Sequence, residues 1–228
     1  MDKVLLVIPA YNEEKNIRKV VGRLAEDFPE LDYIVVNDGS RDSTARICRE
    51  NGYNLLDLPV NLGLAGCFQA GMKYAYLKGY KYAIQFDGDG QHRPEYIGAM
   101  RDKMDEGYDI VIGSRFVEQK KGWSPRMLGS RVIGAAIRLT TGAKICDPTS
   151  GMRMFNRSMI EEFALNLNYG PEPDTLSFLI KQGARVAEIQ VEIDDRLAGE
   201  SYLKPVVAAK YMMRMLTSIL LIQNFRKR

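Results

Sequence analysis

The 228 residues are enough for one well-buried domain with a small appendage and too few for two large ones. Apolar content of 46% and charged content of 27% are ordinary for a globular chain. A formal net charge of +3 is not the mark of a nucleic-acid binder, which carries a dense basic face. Three scattered cysteines, Cys48, Cys67 and Cys146, lack C-x-x-C spacing and are expected to be free thiols in a reducing compartment.

The continuous apolar run at residues 4–8 predicts a strand buried on both faces of a parallel sheet. Asn12-Glu13-Glu14 then opens a helical pattern through Ile17, Val20, Val21 and Leu24, with Asn12 as its cap. A strand at 33–36 leads into the turn Asn37-Asp38-Gly39-Ser40, after which Asp42 or Ser43 caps a helix through Ala45 and Ile47. The pattern continues as a strand at 55–58, a helix at 64–77, a strand at 82–86, a helix at 95–104 and a strand at 110–112. This alternation predicts an α/β fold with a mainly parallel sheet and helices on both faces. After Gly113 the rhythm changes to an amphipathic helix at 124–140 carrying Arg126, Arg131 and Arg138. A late strand at 186–193 and a final helix at 205–222 complete the chain. With no internal repeat or linker, residues 1–228 are expected to form a single domain.

Ligands of open α/β sheets bind beyond the carboxyl ends of the strands. Three polar turns follow apolar strands directly: Pro9-Ala10-Tyr11-Asn12-Glu13, Asn37-Asp38-Gly39-Ser40 and Asp87-Gly88-Asp89-Gly90-Gln91. Topology places all three on one rim. Asp87 and Asp89, two apart with glycine between, can direct carboxylates at one hard cation, and Gln91 can add a neutral oxygen. Mg²⁺ and Mn²⁺ favour such oxygen ligands and are commonly shared with substrate phosphates. A metal-bound diphosphate, its departing charge neutralised by the cation, fits this turn. His92 is the only histidine, which excludes multi-histidine metal sites; it is expected to support a neighbouring ligand side chain or cap the turn. Neither G-x-x-x-x-G-K-[ST] nor G-x-G-x-x-G after the first strand is present, which argues against a P-loop NTPase or a dinucleotide dehydrogenase.

These three segments resemble the family 2 glycosyltransferases of GT-A fold. Gly113-Ser114-Arg115-Phe116, the run Asp147-Pro148-Thr149-Ser150-Gly151-Met152-Arg153, and the run Asp195-Arg196-Leu197-Ala198-Gly199-Glu200-Ser201 narrow the resemblance to the polyprenyl-phosphate sugar synthases, the dolichol-phosphate mannose synthase group. The resemblance implies transfer of a monosaccharide from a UDP- or GDP-sugar to a polyprenyl phosphate with inversion, for cell-surface glycan assembly. It implies that Pro9, Ala10, Tyr11, Glu13 and Asp38 hold the donor with Asp87, Gly88 and Asp89. Asp87, Asp89 and Gln91 would hold Mg²⁺ or Mn²⁺. Arg115, Arg126, Ser130 and Arg196 match positions that grip the acceptor phosphate, with Arg131 a neighbouring candidate. About 1–115 would form the nucleotide-sugar half and 116–228 the acceptor half. Asn37 departs from the family, which usually has a second aspartate there, and points to altered base or ribose contacts.

A phosphomonoester is largely dianionic near neutral pH, its second ionisation lying near 6, so it needs little help from a base. What it needs is arginines to position it and a metal to stabilise the departing nucleotide. If a base is required, as with a hydroxyl acceptor, Asp147 and Asp89 are the candidates. No apolar stretch reaches spanning length. The final helix carries Met212, Met213, Met215, Leu216 and 219–222, interrupted by Lys210 and Arg214 and followed by a basic tail. That pattern predicts an interfacial helix on the cytosolic side of the cell membrane, with a small membrane protein as a further anchor; a core helix or homo-oligomer face also fits it. The competing readings are a family 2 transferase for a saccharide hydroxyl, and a non-catalytic nucleotide-sugar-binding subunit. Intact acceptor arginines speak against the first and the complete metal turn against the second.

Overall fold

The computed structural model describes residues 3–166, 169–194 and 205–223. Arg196 with the rest of its 195–201 motif, and the basic tail, lie outside these described residues. Seven strands form one sheet: β1 (Val4–Ala10), β2 (Asp32–Asn37), β3 (Leu55–Asp57), β4 (Tyr82–Gln85), β5 (Ile110–Ser114), β6 (Arg153–Phe155) and β7 (Val186–Gln190). Their order is β3-β2-β1-β4-β6-β5-β7. All neighbours pair in parallel except at β6, which runs antiparallel to both β4 and β5.

Side chains alternate across each strand, so every strand feeds two cores. Leu5 and Val7 face a layer built by α3 (Gly63–Leu77), α5 (Pro125–Thr141), α6 (Arg157–Glu161), α7 (Pro173–Lys181) and α8 (Pro205–Thr217). Val4, Leu6, Ile8 and Ala10 face the other layer, with α1 (Ile17–Asp27), α2 (Thr44–Glu50) and α4 (Ile97–Asp105). Phe68, Phe155 and Phe163 centre the first core at ring-centroid distances of 5.1–5.6 Å, Phe163 meeting the other two edge to face. The predicted α/β sheet with helices on both faces is the observed one.

The reversal at β6 matters most for the site. Because β6 runs against its neighbours, its beginning lies on the edge where β1, β2, β4 and β5 end. The loop before β6, carrying Asp147 to Gly151, therefore joins the four strand-end loops on one rim. Sequence reading missed β6, α6 and α7: a three-residue strand opening on arginine has too few positions to show a period of two. Asn12 is also corrected. It sits at φ 55° and caps nothing, since α1 starts only at Ile17. Its Oδ1 accepts from the Arg41 amide at 2.9 Å while its own amide donates to Ser40 Oγ at 2.9 Å. Asp42 performs the predicted capping of α2, its Oδ1 accepting from the Thr44 amide at 3.0 Å.

Candidate active site

The first two strand-end loops are sewn together. Besides the Asn12 pair, the Glu13 amide donates to Thr44 Oγ1 at 2.8 Å and the Ser43 amide to Glu14 Oε2 at 3.1 Å. Asp38 closes the other side: its amide donates to the Ala10 carbonyl at 2.9 Å and its Oδ1 accepts from the Leu62 amide at 2.7 Å. Gly39 makes this crossing possible. It has φ +61°, and a Cβ there would stand 2.6 Å from the Val60 carbonyl carbon.

The result is a cavity of about 480 Å³. Pro9, Ala10, Tyr11 and Glu13 line it from the end of β1, Asp38 from β2, and Asp87, Gly88 and Asp89 from β4. All eight predicted donor residues therefore share one wall system. Sequence reading missed Asn61, Gly63, Leu64 and Cys67, which close the cavity from the start of α3; nothing in their local pattern marks them. Cys67 Sγ donates to the Val36 carbonyl at 3.3 Å, and burial pushes the thiol up to about 12, so it stays neutral. Among the described residues the lining holds four carboxylates and no lysine or arginine.

The acidic turn is set by its neighbours. The Asp87 amide donates to His92 Nδ1 at 2.9 Å, which makes Nδ1 an acceptor and places the ring proton on Nε2. That Nε2 faces Asp87 Oδ2 at 3.5 Å, while Gln85 Nε2 donates to Oδ1 at 3.2 Å. His92 thus has the turn-capping role expected of it. Asp89, 5% exposed, accepts from the Gln91 amide at 3.1 Å. Asp87 and Asp89 present oxygen donors to a cavity with no cationic lining residue, a donor set that fits a hard divalent metal. Gln91 lies outside the cavity lining, and its Nε2 donates to the Asp194 carbonyl at 3.2 Å. Asn37 points elsewhere too. It is buried, absent from the lining, and donates through Nδ2 to Asp57 Oδ1 at 2.6 Å. Asp57 is also paired with Arg49. An aspartate at 37 would set two carboxylates against each other, which accounts for the amide.

Across the rim the chemistry changes sign. Arg115 meets Asp147 with a bidentate pair, Nε to Oδ2 at 2.7 Å and Nη2 to Oδ1 at 2.9 Å. Burial pushes the Asp147 carboxyl up, but Arg115's hydrogen bonds and charge outweigh it and hold the group below the usual carboxylate range. Fully buried and committed to Arg115, Asp147 orients that arginine and is not placed to act as a base. Glu188 fixes the Asp147 loop by accepting from the Cys146 and Asp147 amides at 2.5 and 2.7 Å. Gln190 fixes the Arg115 loop, accepting from the Val117 and Glu118 amides and donating to the Arg115 carbonyl.

A second cavity, about 610 Å³, lies between this loop and α5. Ser130 and Arg131 line it, joined by Lys120, Lys121, Arg138 and Lys144. Arg131 spends its guanidinium on the Gly122 and Lys121 carbonyls at 2.9 and 2.6 Å and lies over the Trp123 ring at 4.6 Å. Arg126, in the first turn of α5, is exposed and lines neither cavity. Lys121 was missed because one lysine in Lys120-Lys121 reads as a solvated charge; only the fold half-buries it beside Ser130.

Residues 5–163 match the family described as Glycosyl transferase family 2. Polyprenol monophosphomannose synthase of Mycolicibacterium smegmatis is 29% identical over 212 residues, covering 87% of this chain and 80% of that protein. Undecaprenyl-phosphate mannosyltransferase of Micrococcus luteus is 29% identical over 211 residues, covering 87% and 86%. Among solved structures, glucosyl-3-phosphoglycerate synthase of Mycobacterium tuberculosis with Mn²⁺, UDP and glucosyl-3-phosphoglycerate overlays with a TM-score of 0.72 at 20% identity. That overlay covers 97% of this chain and 80% of the other, and shows the shared GT-A architecture.

Proposed function

From the premise that the chain belongs to glycosyl transferase family 2, we propose that it transfers a hexose or N-acetylhexosamine from a UDP- or GDP-sugar to a polyprenyl phosphate. One observation carries the reading: a cavity lined by carboxylates and a cavity lined by cations open from loops on the same rim. The first suits a nucleoside diphosphate bridged by a cation, and the second suits an anionic acceptor.

Pro9, Ala10, Tyr11, Glu13 and Asp38 hold the nucleoside, and Asp87 and Asp89 would hold Mg²⁺ or Mn²⁺. When bound, that ion neutralises charge on the leaving nucleotide. His92 and Gln85 flank the two oxygens of the Asp87 carboxylate, a residue that lines the cavity. Arg115, its fork fixed by Asp147, retains Nη1 for the acceptor phosphate. The phosphate oxygen is already ionised, so the site needs no base, and its direct attack at the anomeric carbon inverts configuration. Among the described residues no helix is long and apolar enough to cross a membrane. The enzyme meets its lipid acceptor from the membrane surface, on the cytosolic face where nucleotide sugars are made.

Supplying a polyprenyl phosphate and the corresponding free polyprenol with a panel of UDP- and GDP-sugars tests the acceptor. Product from the phosphate alone is expected; equal product from the alcohol would refute a phosphate acceptor.

A further inference from the structure

Lys121 is a half-buried cation on the wall of the second cavity. Its Nζ donates to Ser130 Oγ at 2.7 Å and lies 5.2 Å from the Phe116 ring centroid. Among the described residues it forms no ion pair with a carboxylate. Two of its three N–H bonds are left without an oxygen partner, and it lines the 610 Å³ cavity. On the cavity wall, those two N–H bonds can be offered to an anion that enters it.

The surroundings fix its place. Arg131 holds the carbonyls of Lys121 and Gly122. Ser130, 2% exposed, lies with its Oγ 3.3 Å from Thr149 Oγ1, whose single O–H donates to Asp147 Oδ1 at 3.2 Å. A hydrogen-bonded chain therefore runs from Lys121 through Ser130, Thr149 and Asp147 to Arg115. Arg115 lines neither cavity, so this chain orders the loop around Lys121 and leaves the Lys121 ammonium as the cation that faces the second cavity.

We propose that the Lys121 ammonium is a direct ligand of the acceptor's phosphate, with Ser130 and Arg131 as the residues that position it. This deepens the acceptor reading above and rests on it. Burial pulls the Lys121 ammonium below the usual lysine range; Asp147 and Glu188 oppose that pull, while Arg115 and Arg131 add to it. The charge is therefore lost at lower pH than for an exposed lysine, and phosphate capture weakens as pH rises. Arginine at this position stays charged throughout.

The test is steady-state kinetics of wild type, K121M and K121R with a polyprenyl phosphate, with donor affinity and thermal midpoint measured in parallel. Loss of one charge-assisted contact predicts an acceptor KM about 10- to 100-fold higher in K121M. Donor affinity and thermal midpoint should be unchanged. K121R should restore most of the KM and extend the low-KM range to higher pH. Inorganic phosphate should compete with the lipid in wild type and much less in K121M. An unchanged acceptor KM in K121M, with wild type forming lipid product, would overturn the assignment and leave the proposed function standing. Failure of wild type to label any polyprenyl phosphate despite binding donor would overturn the function itself, and this assignment with it.

Discussion

Asp87 is held from three directions: Gln85 at one oxygen, His92 at the other, and Gly151 closing from the far side. A Cβ at Gly151 would come 2.8 Å from Asp87 Oδ2 and 3.4 Å from His92 Cε1. Gly151→Ala should therefore displace the carboxylate without touching the donor cavity's other walls. The expected outcome is a raised metal requirement and a transfer rate about 10- to 100-fold lower at limiting metal, checked by titrating Mg²⁺ or Mn²⁺ in the assay. Asp147 gives a stability prediction. Its carboxyl is depressed in the folded protein, so its stabilisation is present above the unfolded value of about 3.9 and is lost as pH falls through the lower folded value. Asp147→Asn leaves Arg115 without its counter-charge and should cost about 3 kcal/mol at pH 7. The gap to wild type should narrow below about pH 4, read from urea midpoints across pH. At this scale the acidic turn and Arg115 were legible because their residue types carry the chemistry. Gly151 and Lys121 were not, because their importance lies in what folding brings against them.

Arg153 opens β6 and is buried with its guanidinium spent on main-chain oxygens. Nε donates to the Ser150 carbonyl at 3.0 Å, Nη1 to Pro171 at 2.8 Å and Nη2 to Pro148 at 2.6 Å. It thereby ties the loop before β6 to the start of α7. Arg153→Met would remove the donors to these buried carbonyls, at a cost of about 3 kcal/mol. Chemical denaturation should show the loss, and the metal requirement should rise because Gly151 sits in the tied loop. The alternating strands and helices up to β5 were readable, since long apolar runs and 3.6-residue periods persist there. From β6 to α7 the elements are short, and the cause of their order is a tertiary tie. Asn12 failed as a predicted cap for a related reason: its side chain had a better partner 29 residues away in the Arg41 amide.

Across the whole molecule, charge is sorted by cavity while the net charge stays small at +3. Carboxylates converge after β1, β2 and β4, and cations gather between β5 and α5. Trp123, 88% exposed, and Leu128, Val132 and Leu139 on α5 stand beside the basic cavity. This is a surface suited to an acceptor whose head is anionic and whose tail is hydrocarbon. The expected final helix at 205–222 is α-helical over Pro205–Thr217 and π-helical over Ser218–Ile222, with Met215 and Ile219 turned into the core and Met213, Leu221 and Ile222 exposed.

Metal-dependent transfer of sugar onto a lipid phosphate is tested most directly by following radiolabel from UDP- and GDP-sugars into an organic-extractable lipid. With polyprenyl phosphate and Mg²⁺ or Mn²⁺, wild type should form a labelled lipid that EDTA abolishes and that Asp89→Ala reduces by about 1000-fold or more. Labelled lipid formed equally well with EDTA or by Asp89→Ala would contradict the metal-centred account, and donor turnover with no labelled lipid would contradict the acceptor.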